Sequence, residues 1–105
     1  MTERDKLVLK EFTSRVRARY PQARIWAFGS RVRGDAREHA DLDICIVLPR
    51  LDSSIWEEIS DIAWEIGFQH DVLIATVKFE EDAFERGPLS ESPLVHAILR
   101  EGLAA

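Results

Sequence analysis

Gly29-Ser30 is followed, after ten intervening residues, by Asp41-Leu42-Asp43, and a further acid, Asp71, stands in His70-Asp71-Val72-Leu73-Ile74. A glycine at the end of a strand lets an anion approach the backbone. The N–H groups of the turn, the first turn of a following helix and a serine hydroxyl then supply donors for phosphate. Asp41 and Asp43 are two apart at the start of an apolar run. Because side chains along a strand alternate, both carboxylates emerge on one face while Leu42 enters the other. Two adjacent carboxylates repel, and a hard divalent cation removes that cost in an all-oxygen site. If the strand containing Asp71 lies beside the one containing Asp43, Asp71 joins the pair. Three carboxylates beside a phosphate cradle are what two-metal phosphoryl or nucleotidyl transfer requires, with paired Mg2+ ions holding the attacking and leaving oxygens in line. Arg31, Arg33 and Arg37 add forked donors suited to triphosphate oxygens.

The elements that must position these groups are legible in outline. Thr2 and Asp5 have N-capping character, and Leu9, Phe12, Val16 and Tyr20 recur at helical spacing until Pro21, which predicts a helix over 3–20. The apolar run 23–28 reads as a buried strand leading to Gly29, and 42–48 as a second strand ended by Pro49. Ser54-Ile55-Trp56-Glu57 resembles a capping box, and Ile55, Ile59, Ile62 and Ile66 give one apolar face, so a helix is expected over 54–66, stopped by Gly67. A third strand is expected over 71–76. After an acidic stretch, Glu80 to Glu85, and Gly87-Pro88, a short helix opens at Ser92-Pro93 and closes at Gly102. This order predicts an α/β (α+β) fold in which the long helix makes a parallel crossover between the second and third strands.

Composition narrows the function. The chain has 105 residues, 46% hydrophobic and 31% charged, which suits a single domain over 1–105 with no room for a separate acceptor-binding lobe. A formal net charge of −5 disfavours direct binding to nucleic acid or to an anionic membrane. No apolar run is long enough to span a bilayer, and the charged N-terminal stretch is unlike a signal peptide, so a cytoplasmic location is expected. The single cysteine, Cys45, lies in Ile44-Cys45-Ile46-Val47-Leu48 and reads as a buried hydrophobe. His39 and His70 flank the acids but suit an oxygen-ligand site poorly. Trp26 reads as core. Trp56 and Trp64 widen the apolar face of the long helix, either as packing or as a partner surface.

The stretch Phe28-Gly29-Ser30-Arg31-Val32-Arg33-Gly34-Asp35-Ala36, with Asp41-Leu42-Asp43 and Asp71, resembles the polymerase-β-like nucleotidyltransferases. Among these it is most similar to the minimal, MNT-type enzymes that act as antitoxins in prokaryotic HEPN/MNT toxin–antitoxin pairs. The resemblance spans residues 20–102. It implies a nucleotidyltransferase fold with a small mixed sheet of three or four strands flanked by helices. It further implies that Gly29 and Ser30 bind the nucleotide, a role that the forked donors of Arg31 and Arg33 suit them to share, while Asp41, Asp43 and Asp71 are catalytic and hold two Mg2+ ions. ATP would be the donor, and AMP would pass to a hydroxyl, expected to be a tyrosine's, on a HEPN ribonuclease toxin, silencing it. Two alternatives stand beside this: a non-catalytic module that occludes the toxin, and a transferase for a small-molecule or RNA acceptor.

Overall fold

A computed structural model describes residues 1–37 and 39–105. The first helix, α1 (Glu3–Arg19), begins with a complete capping box, in which the Thr2 hydroxyl accepts from the Asp5 N–H and the Asp5 carboxylate accepts from the Thr2 N–H. Strand β1 (Arg24–Phe28) leads through Gly29 into a single helical turn, α2 (Ser30–Arg33), and β2 (Leu42–Leu48) follows. Helix α3 (Ser53–His70) crosses to β3 (Ile74–Glu80). A short helix α4 (Glu81–Glu85), a 3-10 turn (Pro88–Glu91), α5 (Pro93–Glu101) and the two-residue strand β4 (Leu103–Ala104) complete the fold.

The sheet is mixed and four-stranded in the order β3-β2-β1-β4, with β2 and β3 parallel and the other pairs antiparallel. The crossover expected from the long helix is therefore present. On one face, Val8, Leu9, Phe12 and Val16 of α1 and Ile59, Ile62 and Ile66 of α3 pack on Ile25, Leu42, Ile44, Ile46 and Leu48. Each fully buried aliphatic side chain of this kind contributes about 2 kcal/mol through loss of apolar surface to water. On the other face, Cys45, Val47 and Phe79 meet Phe84 of α4 and Val95 and Ile98 of α5. Trp26, partly exposed, joins this second core by stacking on Phe84 at 5.5 Å.

Two expectations are corrected. The cap of α3 is Asp52, whose carboxylate accepts from the Ile55 N–H, and the helix runs through Gly67 to His70. Gly67 continues the helix because its bare Cα lies against the chain that leaves it: a Cβ there would meet the Val72 carbonyl oxygen at 2.5 Å. The stop falls instead on Asp71, left-handed at φ 54°, with the Val72 N–H donating to the Gly67 carbonyl. As a result β3 starts at Ile74, three residues later than the sequence suggested.

Candidate active site

Phe28, the last residue of β1, pairs with Asp43, so the chain leaves the strand directly over the carboxylate pair. Gly29 adopts φ +84°, a conformation natural only to glycine, and a Cβ on it would lie 2.3 Å from Asp43 Oδ2. The bend is thus seated on the Asp43 carboxyl group. From Gly29 the chain enters α2, where the Val32 and Arg33 N–H groups both donate to the Gly29 carbonyl. The N–H groups of its first residues, Ser30 and Arg31, precede any helical acceptor.

The alternation read from Asp41-Leu42-Asp43 is present. Leu42 is fully buried under α1 and α3, whereas Asp41 and Asp43 are half-buried on the opposite face. Asp43 is held above the ordinary carboxylate range, first by desolvation and second by the negative charge of Asp41, with Arg33 and Arg31 opposing weakly. Cys45, next along that face, has its thiol pushed up to about 12 by burial and is inert packing, as expected.

Arg33 is half-exposed, bridged to Asp35 at 3.3 Å and to Glu101, at the end of α5, at 3.8 Å. With Ser30, Asp35, Arg37, His39 and Ala40 it borders an open pocket of about 490 Å³ beside the Gly29 bend. Two guanidinium groups around such a space suit an anionic, phosphate-bearing ligand. His70 is elsewhere, its Nε2 2.5 Å from Glu11 between α1 and α3.

Arg31 is engaged differently from the sequence expectation. Its Nη1 donates to Asp5 Oδ1 at 2.8 Å, and its Nε donates to the Ala40 carbonyl at 2.8 Å, with Nη2 bonding the same oxygen. These contacts clamp the residue just before Asp41 onto the first turn of α1. The sequence carries a signal for this. Asp5 falls in the apolar row of α1 with Leu9, Phe12 and Val16, and a carboxylate there, 5% exposed, needs a cation. Replacing Arg31 with alanine strands that carboxylate and frees the Ala40 loop. A loss of about 2 kcal/mol, or a fall of roughly 8–16 °C in Tm, is expected in thermal denaturation. An unchanged midpoint would show that the clamp is not structural.

Asp71 does not join the pair. The expectation placed it on a strand beside Asp43, but it caps α3 and lines a groove on the α3 side of the sheet, whereas Asp43 faces α4 and α5. The charges acting on Asp43 come from Asp41, Arg33 and Arg31. Among the described residues no three acidic, histidine or cysteine side chains converge as a metal-holding group. The structure therefore brings together Gly29, Ser30, Asp41, Asp43 and Arg33, uses Arg31 as a brace, and leaves Asp71 apart.

A strand-bend-helix over paired carboxylates on a mixed sheet defines the class, and the nucleotidyltransferase domain family model matches residues 9–100. The chain belongs to that family. Its fold is similar to that of a toxin–antitoxin crystallised with AMP-PNP (20% identity, TM-score 0.60, 90% of this chain and 69% of that one). A toxin–antitoxin MntA–HpeT complex is similar at 18% identity and TM-score 0.60, over 98% of this chain and 72% of the other. A putative nucleotidyltransferase from Sulfolobus solfataricus is similar at 17% identity and TM-score 0.53, over 97% and 82% respectively. No curated protein matches the chain in sequence. No helix among the described residues is long and apolar enough to cross a membrane.

Proposed function

We propose that the chain is a Mg2+-dependent nucleotidyltransferase antitoxin that transfers AMP from ATP to a hydroxyl, in this reading a tyrosine's, of a HEPN-type ribonuclease toxin in the cytoplasm. The observation that carries this is the Gly29 bend resting on Asp43 beside Asp41 and Arg33. The fit to a divalent cation rests on the donor set: two carboxylates on one strand face, one of them held above its ordinary range first by desolvation and second by the charge of the other. Asp41 and Asp43 would hold Mg2+, the remaining ligands being phosphate oxygens and water. Bound there, the metal would neutralise the charge that develops on the phosphates.

The protein's own groups supply the rest. The Gly29-Ser30 bend offers backbone N–H groups and a hydroxyl to the triphosphate, and Arg33 faces the same space with a fixed positive charge. The acceptor oxygen bonds to the α-phosphorus as the bond to pyrophosphate breaks, and the hydroxyl proton passes to solvent. With Asp71 apart, catalysis by this chain is positioning and charge compensation. That the similar toxin–antitoxin structure holds AMP-PNP supports a nucleoside triphosphate as donor.

The test is the intact mass of the protein encoded next to this gene after incubation with the chain, ATP and Mg2+. An adenylyl adduct is expected, in this reading on a tyrosine. A folded complex in which that mass never changes would overturn the reading. The isolation of Asp71 favours one other possibility, a toxin-binding module that acts by occlusion. It predicts that the Asp41→Asn, Asp43→Asn variant still neutralises the toxin in growing cells.

A further inference from the structure

An open groove of about 770 Å³ lies away from the carboxylates, between α3 and the edge strand β3. Its walls carry large apolar side chains in water: Trp64 is 67% exposed, Phe68 77% and Leu73 65%. Trp64 and Phe68 stack on each other at 5.3 Å. Outside the groove, one turn before Ser60, Trp56 is covered by the Lys78 ammonium, 4.0 Å from the ring centre. Isolated exposed apolar residues are ordinary, but Trp64, Phe68 and Leu73 together along one groove mark a docking surface.

Charge identifies the occupant. Positions 56, 60, 64 and 68 form one row along α3, and one residue further round the helix the exposed Glu57 and Asp61 begin a second, parallel acidic row, whose third member, Glu65, is bridged to Arg15 of α1 at 2.6 Å. Asp71 closes the end of the groove. A second copy of this chain, related by a two-fold axis, would set these acidic rows against each other. The complementary surface is apolar with a basic flank. The row from 56 to 68 extends about 18 Å, the length of three turns of helix.

Resting on the toxin-partner reading above, we infer that this groove receives an amphipathic helix of the partner protein, its apolar face on Trp64, Phe68 and Leu73 and its Lys/Arg flank against Glu57 and Asp61. This is recognition of a helix in a groove, with aromatic anchors and a charged rim.

The experiment uses the full chain and the protein encoded by the adjacent gene, with affinity measured at two salt concentrations. Trp64→Ser with Phe68→Ser is expected to weaken the complex at least 100-fold. Thermal stabilisation of the chain by Mg2+ and ATP should be unchanged, because the substitutions lie on exposed positions of the opposite face. Glu57→Lys with Asp61→Lys should weaken it about tenfold and flatten the salt dependence. A wild-type complex that both double variants form equally well overturns the groove while leaving the partner reading intact. Absence of any complex with the wild-type chain overturns both. A dimer of the chain alone that Trp64→Ser with Phe68→Ser dissolves shows the occupant to be a second copy, and also overturns the proposal.

Discussion

Converting Asp41 and Asp43 together to asparagine should reduce nucleotide transfer by at least about 1000-fold, since metal-borne charge stabilisation is worth several kcal/mol and each 1.4 kcal/mol is tenfold in rate. The same change should stabilise the ligand-free protein. Asp43 binds its proton more tightly in the folded chain than in the unfolded one, because the fold desolvates it and sets Asp41 beside it. A carboxyl group shifted in that direction costs nothing at low pH, where it is protonated in both states. The cost appears as pH rises from the ordinary carboxylate range through the raised value, and is then fully present at neutral pH. Asparagine removes it. Repulsion between two partly solvated carboxylates is worth about 1 kcal/mol or less, so Tm at pH 7 should rise by roughly 2–6 °C, with little change near pH 3. Mg2+ with ATP should raise the melting temperature of the wild type and not of the variant. A variant that melts lower at neutral pH while transferring normally would contradict both parts.

Gly29→Ala is expected to be almost as damaging to activity, through a different cause. The added methyl would sit 2.3 Å from Asp43 Oδ2, so either the carboxylate turns away or the bend lifts from β2. The backbone at φ +84° adds about 1–3 kcal/mol of strain for any residue with a Cβ. Transfer should fall by about 100-fold or more, as expected when reacting groups are displaced by an ångström. The melting temperature should fall by roughly 5–15 °C. Gly34, also at positive φ, has open space around it. Alanine there should bring the backbone strain and leave transfer by the folded fraction intact, which separates strain from displacement in a single-turnover assay.

How much of this was legible beforehand depended on how local the cause was. The Thr2 and Asp5 cap, the span of β2 and the special role of Gly29 follow from side-chain chemistry within a few residues, and each was readable. Alternation across Asp41-Leu42-Asp43 was readable because burial of one face forces exposure of the other. The end of α3 was not. A glycine inside an apolar periodic run ordinarily reads as a stop, and only the approach of the Val72 carbonyl explains why Gly67 carries on. That displacement moves β3 by three residues and takes Asp71 from a strand to a helix cap. The contacts of Arg31 were not legible for a related reason. Three arginines close together in sequence look equivalent until the fold gives one of them a buried carboxylate and a loop carbonyl.

Because β2 and β3 run parallel in the register Leu42 with Ile74, the aromatic groove and the carboxylates share one end of the sheet while occupying opposite sides of it. A protein gripping α3 would have to send a strap of chain around the margin at β3 to deliver its reactive hydroxyl. The anchor and the chemistry would then be separable, so the reach of that strap would govern which side chain is modified.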